Sequence, residues 1–162
     1  MADLKNISIR RASDDDAAGL IDLIGTIFMD YENCILDLDD LDKELLAIDT
    51  AMRAQGGKFW VATIKNRIVG AIGYTLKGNF VELKRLYVAR DCRGTGLANK
   101  LTDLVYKAAS DAGARAIELW SDTRFSEAHA FYLKHDFEKQ PETRDLNDPS
   151  NSTEFHFIKK LM

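Results

Sequence analysis

Hydrophobic and polar positions recur along this chain in a readable order. Ile7 to Ala12 (ISIRRA) has the short alternation of an opening strand. Ser13 stands three residues before Asp16, a capping-box spacing. Ala17, Leu20, Ile21, Ile24 and Phe28 then recur at helical intervals, which predicts an amphipathic helix over 14–29. DDLDKELLAIDTAMRAQGG predicts a second helix, with acids at the start to complement its dipole and Gly56-Gly57 at its end. KFWVATIK and RIVGAIGYTLK, rich in β-branched and aromatic residues, flank a tight turn at Asn66-Arg67. Gly78-Asn79 makes the next turn and FVELKRLYV the third strand of an antiparallel meander.

The pattern then changes period. Leu97, Leu101, Leu104, Val105 and Ala108 share one face of a helix over 95–111, stopped by Gly113, and ARAIELW comes next as a strand. Strand, helix and strand form a crossover unit, so Ala114–Trp120 is expected parallel to Phe80–Val88. A helix over 124–135, a strand beginning at FEKQ, a polar loop over 141–152 and a closing strand TEFHFIKKL complete the chain. The expected fold class is α/β, a mixed and mostly antiparallel sheet with flanking helices, in one domain over 1–162.

Composition narrows the function. The 162 residues are 46% apolar with two prolines, enough for a sizeable core. A net charge of -4 gives no general attraction to nucleic acid, and none is expected as a partner. Cys34 and Cys92 lack metal-ligand spacing, and the three histidines form no paired motif, so no metal is expected. MADLKNISIRRA is charged, without a continuous apolar core, and no run approaches the length of a membrane span. These features predict a cytoplasmic protein with no signal peptide and no membrane partner.

The candidate chemistry sits in the gap between FVELKRLYV and the helix after it, at Arg93-Gly94-Thr95-Gly96-Leu97-Ala98. A helix start offers backbone N–H groups without partners, and its dipole favours an anion. Glycines let a ligand approach the main chain, and Arg93 offers charge-assisted bonds to a phosphate. A Walker A loop would need GK[ST], where the chain reads GLANK. A dinucleotide fingerprint would place a third small residue where Asn99 stands. A turn that merely ends a strand is the remaining alternative.

With its surroundings included, the stretch resembles the GNAT superfamily of N-acetyltransferases, which move an acetyl group from acetyl-CoA to an amine. The family signature is Arg or Gln, two residues, Gly, one residue, then Gly or Ala; here it reads Arg93, Gly96 and Ala98. Leu86-Tyr87-Val88 matches the strand end ahead of the signature. ARAIELW and SEAHAFYLKHDF, carrying Tyr132 and Phe137, match the family's strand and helix behind it. Arg90 and Asp136 depart from the usual proline and glycine, which bears on turn conformation only.

The resemblance implies an acyl-CoA N-acyltransferase fold, with a bulge in the strand of 80–88 splaying it from the parallel strand after it. It implies that Leu86, Tyr87, Val88, Arg93, Gly94, Thr95, Gly96, Leu97 and Ala98 hold acetyl-CoA, chiefly through main-chain groups. It assigns Tyr132 to the thiol end as proton donor and Glu82 to deprotonation of the amine. Strand parity sets Glu82, Lys84, Leu86 and Val88 nominally on one face, a count that a bulge would break, and Lys84 is a possible ion-pair partner for Glu82. The acceptor side would draw on Asp30, Tyr31, Glu32, Asp37, Asp39, Asp40, Asp145, Asp148 and Glu154. That acidic balance favours a small, cationic primary amine, with direct transfer in a ternary complex. A protein or peptide amine, or a non-catalytic CoA-binding module, are the alternatives, and a homodimer is expected from the resemblance alone.

Overall fold

β-branched and aromatic residues in the middle of the chain pair into the meander their alternation predicts. A two-residue turn at Lys65-Asn66, both at positive φ (46° and 68°), folds β2 (Lys58–Ile64) onto β3 (Arg67–Lys77). This turn matches the twist of its strands and lies one residue earlier than the sequence suggested. β1 (Ser8–Arg11) pairs antiparallel with β2, and β4 (Phe80–Val88) antiparallel with β3. These details come from a computed structural model, which describes residues 3–161. β5 (Ala116–Asp122), β6 (Glu138–Asp145) and β7 (Thr153–Lys160) complete a seven-stranded sheet in the order β1-β2-β3-β4-β5-β7-β6.

α1 (Ala17–Phe28) comes after a 3-10 turn over Asp14–Asp16, where Ser13 and Asp16 form the expected capping box. α3 (Leu97–Asp111) crosses from β4 to β5, and α4 (Ser126–Lys134) comes after β5. The faces of the sheet bury two separate cores. Val81, Leu83, Leu101, Val105, Ile117 and Phe157 pack on the α3 side; Leu20, Ile24, Met52, Phe59 and Val61 pack on the α1 side.

Two predicted elements come out differently. The second helix is divided into a 3-10 turn over Lys43–Ala47 and a short α2 (Ile48–Ala54), because Ala47 leaves helical geometry (φ -151°, ψ 63°). The polar loop of 141–152 is shorter, since β6 runs on to Asp145. It is an edge strand with an irregular register between Lys139 and Thr143, which accommodates Pro141. Asp136 takes φ 69°, the left-handed conformation that a glycine would supply at the end of α4.

The parallel pair is short. Phe80, Val81 and Glu82 pair with Ala116, Ile117 and Glu118, and the strands then diverge. On the other edge of β4, Ala71 pairs with Tyr87 but Gly73 with Lys84, so two β4 residues oppose Ile72. This is a β-bulge, and Arg85 carries it at φ 57°. The Arg85 side chain is 12% exposed. Its Nε donates to Glu44 at 2.6 Å, Nη1 to Asp42 at 2.9 Å and Nη2 to the Leu41 carbonyl at 2.9 Å. The bulge inverts strand parity. Leu83 and Leu86 both face the α3 core, whereas Lys84, Arg85 and Tyr87 face the α1 side. Glu82 therefore does not share a face with Leu86 and Val88.

Arg85→Ala is expected to lower stability by about 3–5 kcal/mol near neutral pH, because it leaves Asp42 and Glu44 buried without their counter-charge. Burial acts to raise the Glu44 pKa, but Arg85 and Lys84 overcome it and hold the carboxyl below its ordinary value. A folded pKa below the unfolded one adds stability above about pH 4.3, which is lost as pH falls through the folded value. The wild-type protein should therefore lose this contribution as pH falls from neutral to well below about 4.3. The deficit of the variant should narrow over the same interval, as protonation relieves its stranded carboxylates. Urea titrations followed by tryptophan fluorescence at the two ends of this interval measure both; a deficit that persists at the acid end contradicts the ion pairs as its source.

Candidate active site

β4 ends at Val88 and α3 begins at Leu97, and the connection between them is shaped by two glycines at positive φ, Gly94 (76°) and Gly96 (90°). Thr95 turns inward: its hydroxyl donates to the Cys92 carbonyl at 2.6 Å and accepts from the Leu97 N–H at 3.3 Å. The N–H groups of Gly94, Thr95, Gly96, Ala98 and Asn99 have no protein acceptor among the described residues. These donors and the N-terminus of a fifteen-residue helix are the groups that could hold an anion. The guanidinium of Arg93 lies across the same connection. Its Nε donates to the Val88 carbonyl at 3.3 Å and its Nη1 is 3.3 Å from Glu127, so it ties β4 to α4.

A groove of about 350 Å³ runs from this loop into the gap beside β4. Leu86, Tyr87, Val88, Arg93, Gly94, Gly96, Leu97 and Ala98 all line it. Thr95 does not, and its part is to cap the helix.

A second cavity of about 280 Å³ lies beyond the bulge and meets the groove at Leu86, Tyr87, Phe125 and Ala128. Tyr132 and Glu82, far apart in sequence, both line it. The Tyr132 ring packs on Phe131, Phe137 and Phe157, and burial pushes its hydroxyl pKa upward, so the phenol keeps its proton. Burial raises Tyr87 likewise, and its ring meets Phe28 and Phe125 edge-on.

Glu82 is nearly buried, and its Oε1 lies 2.5 Å from Nζ of Lys77, a half-exposed residue of β3. Lys84 turns instead to Glu44, at 3.5 Å. The ion-pair partner of Glu82 is thus Lys77 and not Lys84: Thr75 is opposite Glu82 on β3, and Lys77, two residues further along, reaches it diagonally.

The acids of the second cavity are largely not those singled out in the sequence. Asp148 and Glu154 line it, and Tyr31 lines the groove. Asp30 instead pairs with Arg90 at 2.7 Å, and Asp145 accepts from Thr153 at 2.8 Å. Asp37 accepts from the Leu41 N–H within its own turn, and Glu32, Asp39 and Asp40 are outside both linings. The wall is completed by Asp42, Glu44, Glu82 and Asp122, against three cations, Lys84, Arg85 and Arg144. No spacing rule links Asp42, Glu44, Asp122 and Arg144, which lie at separate places along the chain.

Two loops that line this cavity are clasped to each other. The Ile35 N–H donates to Ser150 Oγ at 2.7 Å, and that hydroxyl donates back to the Ile35 carbonyl at 3.1 Å. Arg124 grips the Ser150 carbonyl and Asp122, and Asp148 accepts from the N–H and hydroxyl of Ser152. The clasp joins the segment after α1 to the segment before β7.

The remaining candidates have other places. His156 has its ring nitrogens against Glu118 and Glu142 and its plane stacked on Trp120 at 4.1 Å. His129 contacts Ser121 at 3.1 Å, and burial lowers its pKa; His135 sits on the Phe131 carbonyl at the end of α4. Cys92 is buried, and burial raises the Cys34 thiol to about 11, so neither is poised as a nucleophile. Among the described residues no group of three or more His, Cys, Asp or Glu could hold a metal ion, and no helix is long and apolar enough to cross a membrane.

Known proteins share this arrangement. A family model described as "Acetyltransferase (GNAT) domain" matches residues 55–139, just over half of the chain. The N-acetylaspartate synthetase of Danio rerio is 30% identical over 125 residues, covering 76% of this chain and 43% of that protein. The chain spans about half the length of the curated relatives it matches. An acetyltransferase of the GNAT family from Staphylococcus aureus Mu50 superposes with a TM-score of 0.82 at 25% identity, over 96% of this chain and 99% of that one. The PaiA N-acetyltransferase of Thermoplasma acidophilum, solved in complex with coenzyme A, shares the fold with a TM-score of 0.72 at 19% identity, over 96% and 99% of the two chains. The bulged β4, the glycine connection and the family match over the same residues lead to one conclusion: the chain belongs to the GNAT acetyltransferase family.

Proposed function

We propose that the chain, as one domain, transfers the acetyl group of acetyl-CoA directly to a primary amine of a small molecule, with both substrates bound together. The observation that carries this reading is the junction of the two cavities at the β4 bulge: a groove headed by N–H groups without a protein acceptor among the described residues opens into an acid-rich pocket. The donor supplies an activated thioester. Its pyrophosphate suits the N–H groups of Gly94, Thr95, Gly96, Ala98 and Asn99, and its arm suits the gap where β4 has lost its parallel partner.

Six carboxylates against three cations on the pocket wall favour an amine that arrives as a cation. The Ile35–Ser150 clasp favours a small acceptor over a lysine on a folded protein. Glu82 takes the proton that the amine must lose, with Lys77 beside its carboxylate. Tyr132, neutral because buried, offers its proton to the departing sulfur.

An amine panel with acetyl-CoA, monitored by release of free thiol, tests the whole reading; CoA binding without turnover of any amine would refute it. Gly96→Val is expected to weaken acetyl-CoA binding about tenfold or more in calorimetry, because a β-branched residue resists φ 90° and the loop must shift. A folded variant of unchanged affinity contradicts the pyrophosphate assignment.

Tyr132→Phe retains the ring and should keep cofactor affinity, while lowering kcat by about 10²–10⁴-fold if the proton is essential. An unaltered kcat, with chemistry rate-limiting, would return Tyr132 to a purely packing role.

Glu82→Gln should lower kcat/KM at neutral pH, and the loss should shrink at high pH as the free amine deprotonates itself. A change confined to KM that fades with added salt would mean that Glu82 only attracts the cation.

A further inference from the structure

The three cations on the pocket wall are not equally engaged. Arg85 spends all three of its nitrogens on Glu44, Asp42 and the Leu41 carbonyl. Lys84 is turned to the same side, toward Glu44. Arg144 differs. Its Nε donates to Glu154 at 2.7 Å, and its Nη1 and Nη2 have no protein acceptor among the described residues. Glu154 lies directly across the β6–β7 ladder from it, and the guanidinium carbon stands 4.3 Å from the centroid of the Trp120 ring.

Stacking and the Nε bond together fix the plane of the guanidinium, which lines the cavity with its terminal fork unengaged among the described residues. A planar fork of two N–H donors matches a carboxylate bidentately, which an ammonium cannot do. Trp120 is itself held flat by His156, stacked at 4.1 Å with 6° between the planes. Trp120 lies two residues along β5 from Glu118, the register partner of Glu82. That is roughly 7 Å of backbone along the strand, so Glu82 and Arg144 approach the same cavity from different points of its wall, an arrangement suited to a small molecule with an amine at one end and an anion at the other.

We propose that the acceptor carries a carboxylate as well as its amine, an amino acid or a close derivative, and that the terminal fork of Arg144 receives that carboxylate while the amine faces Glu82. Arg144 is then a specificity residue, and Glu154 and Trp120 hold its orientation. The inference rests on the amine acetyltransferase reading above and adds the second charge of the substrate. An acid-rich wall with one guanidinium whose terminal nitrogens are unengaged among the described residues sorts zwitterions from polyamines, because the ammonium and the carboxylate meet opposite charges at opposite ends.

The test pairs each of the common amino acids with its carboxamide, which keeps size and amine but loses the negative charge, and adds spermidine and tyramine as amines without a carboxylate. Wild-type protein is expected to use at least one amino acid about tenfold or more better than its carboxamide in kcat/KM. Arg144→Gln should raise KM for that amino acid by a similar factor and leave the carboxamide unchanged; Arg144→Lys, which keeps the charge without the fork, should recover part of the loss. Equal use of acid and carboxamide, or an Arg144→Gln effect common to both, overturns the proposal. So does turnover of spermidine or tyramine alone, which would leave the amine acetyltransferase reading intact. Acetyl-CoA binding with no turnover of any amine refutes that reading, and this inference with it.

Discussion

The Arg85 guanidinium, nearly sealed from solvent and shared among Glu44, Asp42 and the Leu41 carbonyl, is the contact on which the working geometry of the molecule rests. A non-glycine residue at φ 57° in mid-strand is unfavourable by itself and persists where its surroundings hold it. Here the ion pairs hold it, and the same contacts draw the turn of 43–47 against β4. The one residue has three consequences. β4 is bulged, its side chains change faces beyond the bulge, and the 3-10 turn that precedes the break at Ala47 has its acids Asp42 and Glu44 held on Arg85.

The opening beside β4 has a complementary cause on its other edge. Parallel pairing with β5 stops after Glu82 and Glu118, while β5 continues its ladder with β7 as far as Asp122. The sheet therefore stays continuous at one end and parts at the other. α3 and α4 flank the parting, and the aromatic cluster of Phe28, Tyr31, Tyr87 and Phe125 lies where the groove and the pocket meet. The groove thus combines backbone donors at its head with apolar walls, and the pocket combines paired charges with a buried phenol. Low exposure strengthens every polar contact there, which is why the pairing of each charge, and not their total, decides what the pocket can accept.

The clasp and the ion pairs also explain how a wall with many carboxylates stays folded. Glu44 answers to Arg85 and Lys84, Asp122 to Arg124, Glu154 to Arg144 and Glu82 to Lys77. Most of these pairs join two elements: the turn before α2 to β4, β3 to β4, or β6 to β7. The Arg124–Asp122 pair is local, and Arg124 extends it to the loop carrying Ser150.

Local sequence was enough for the strands at 58–64, 67–77 and 80–88, the glycine connection at 93–96 and the long helix after it, and the parallel crossover to β5. These depend on periodicity, turn residues and a contiguous motif, all of which are properties of neighbours in the chain. The wider family resemblance also singled out Tyr132 and Glu82, which the fold brings to one cavity. Other features needed distant segments to meet. Arg85 reads in sequence as one more charge in FVELKRLYV, and its partners lie more than forty residues away. Lys77 displaced Lys84 as the partner of Glu82 because ladder register sets that distance. Thr153–Lys160 lies between β5 and β6, so the predicted loop up to Asp145 found strand partners. Trp120, Arg144 and the Ser150 clasp became one wall by the same route. Charge pairing and edge pairing are settled by which segments come together, and that information is spread over the whole chain and absent from any single window of it.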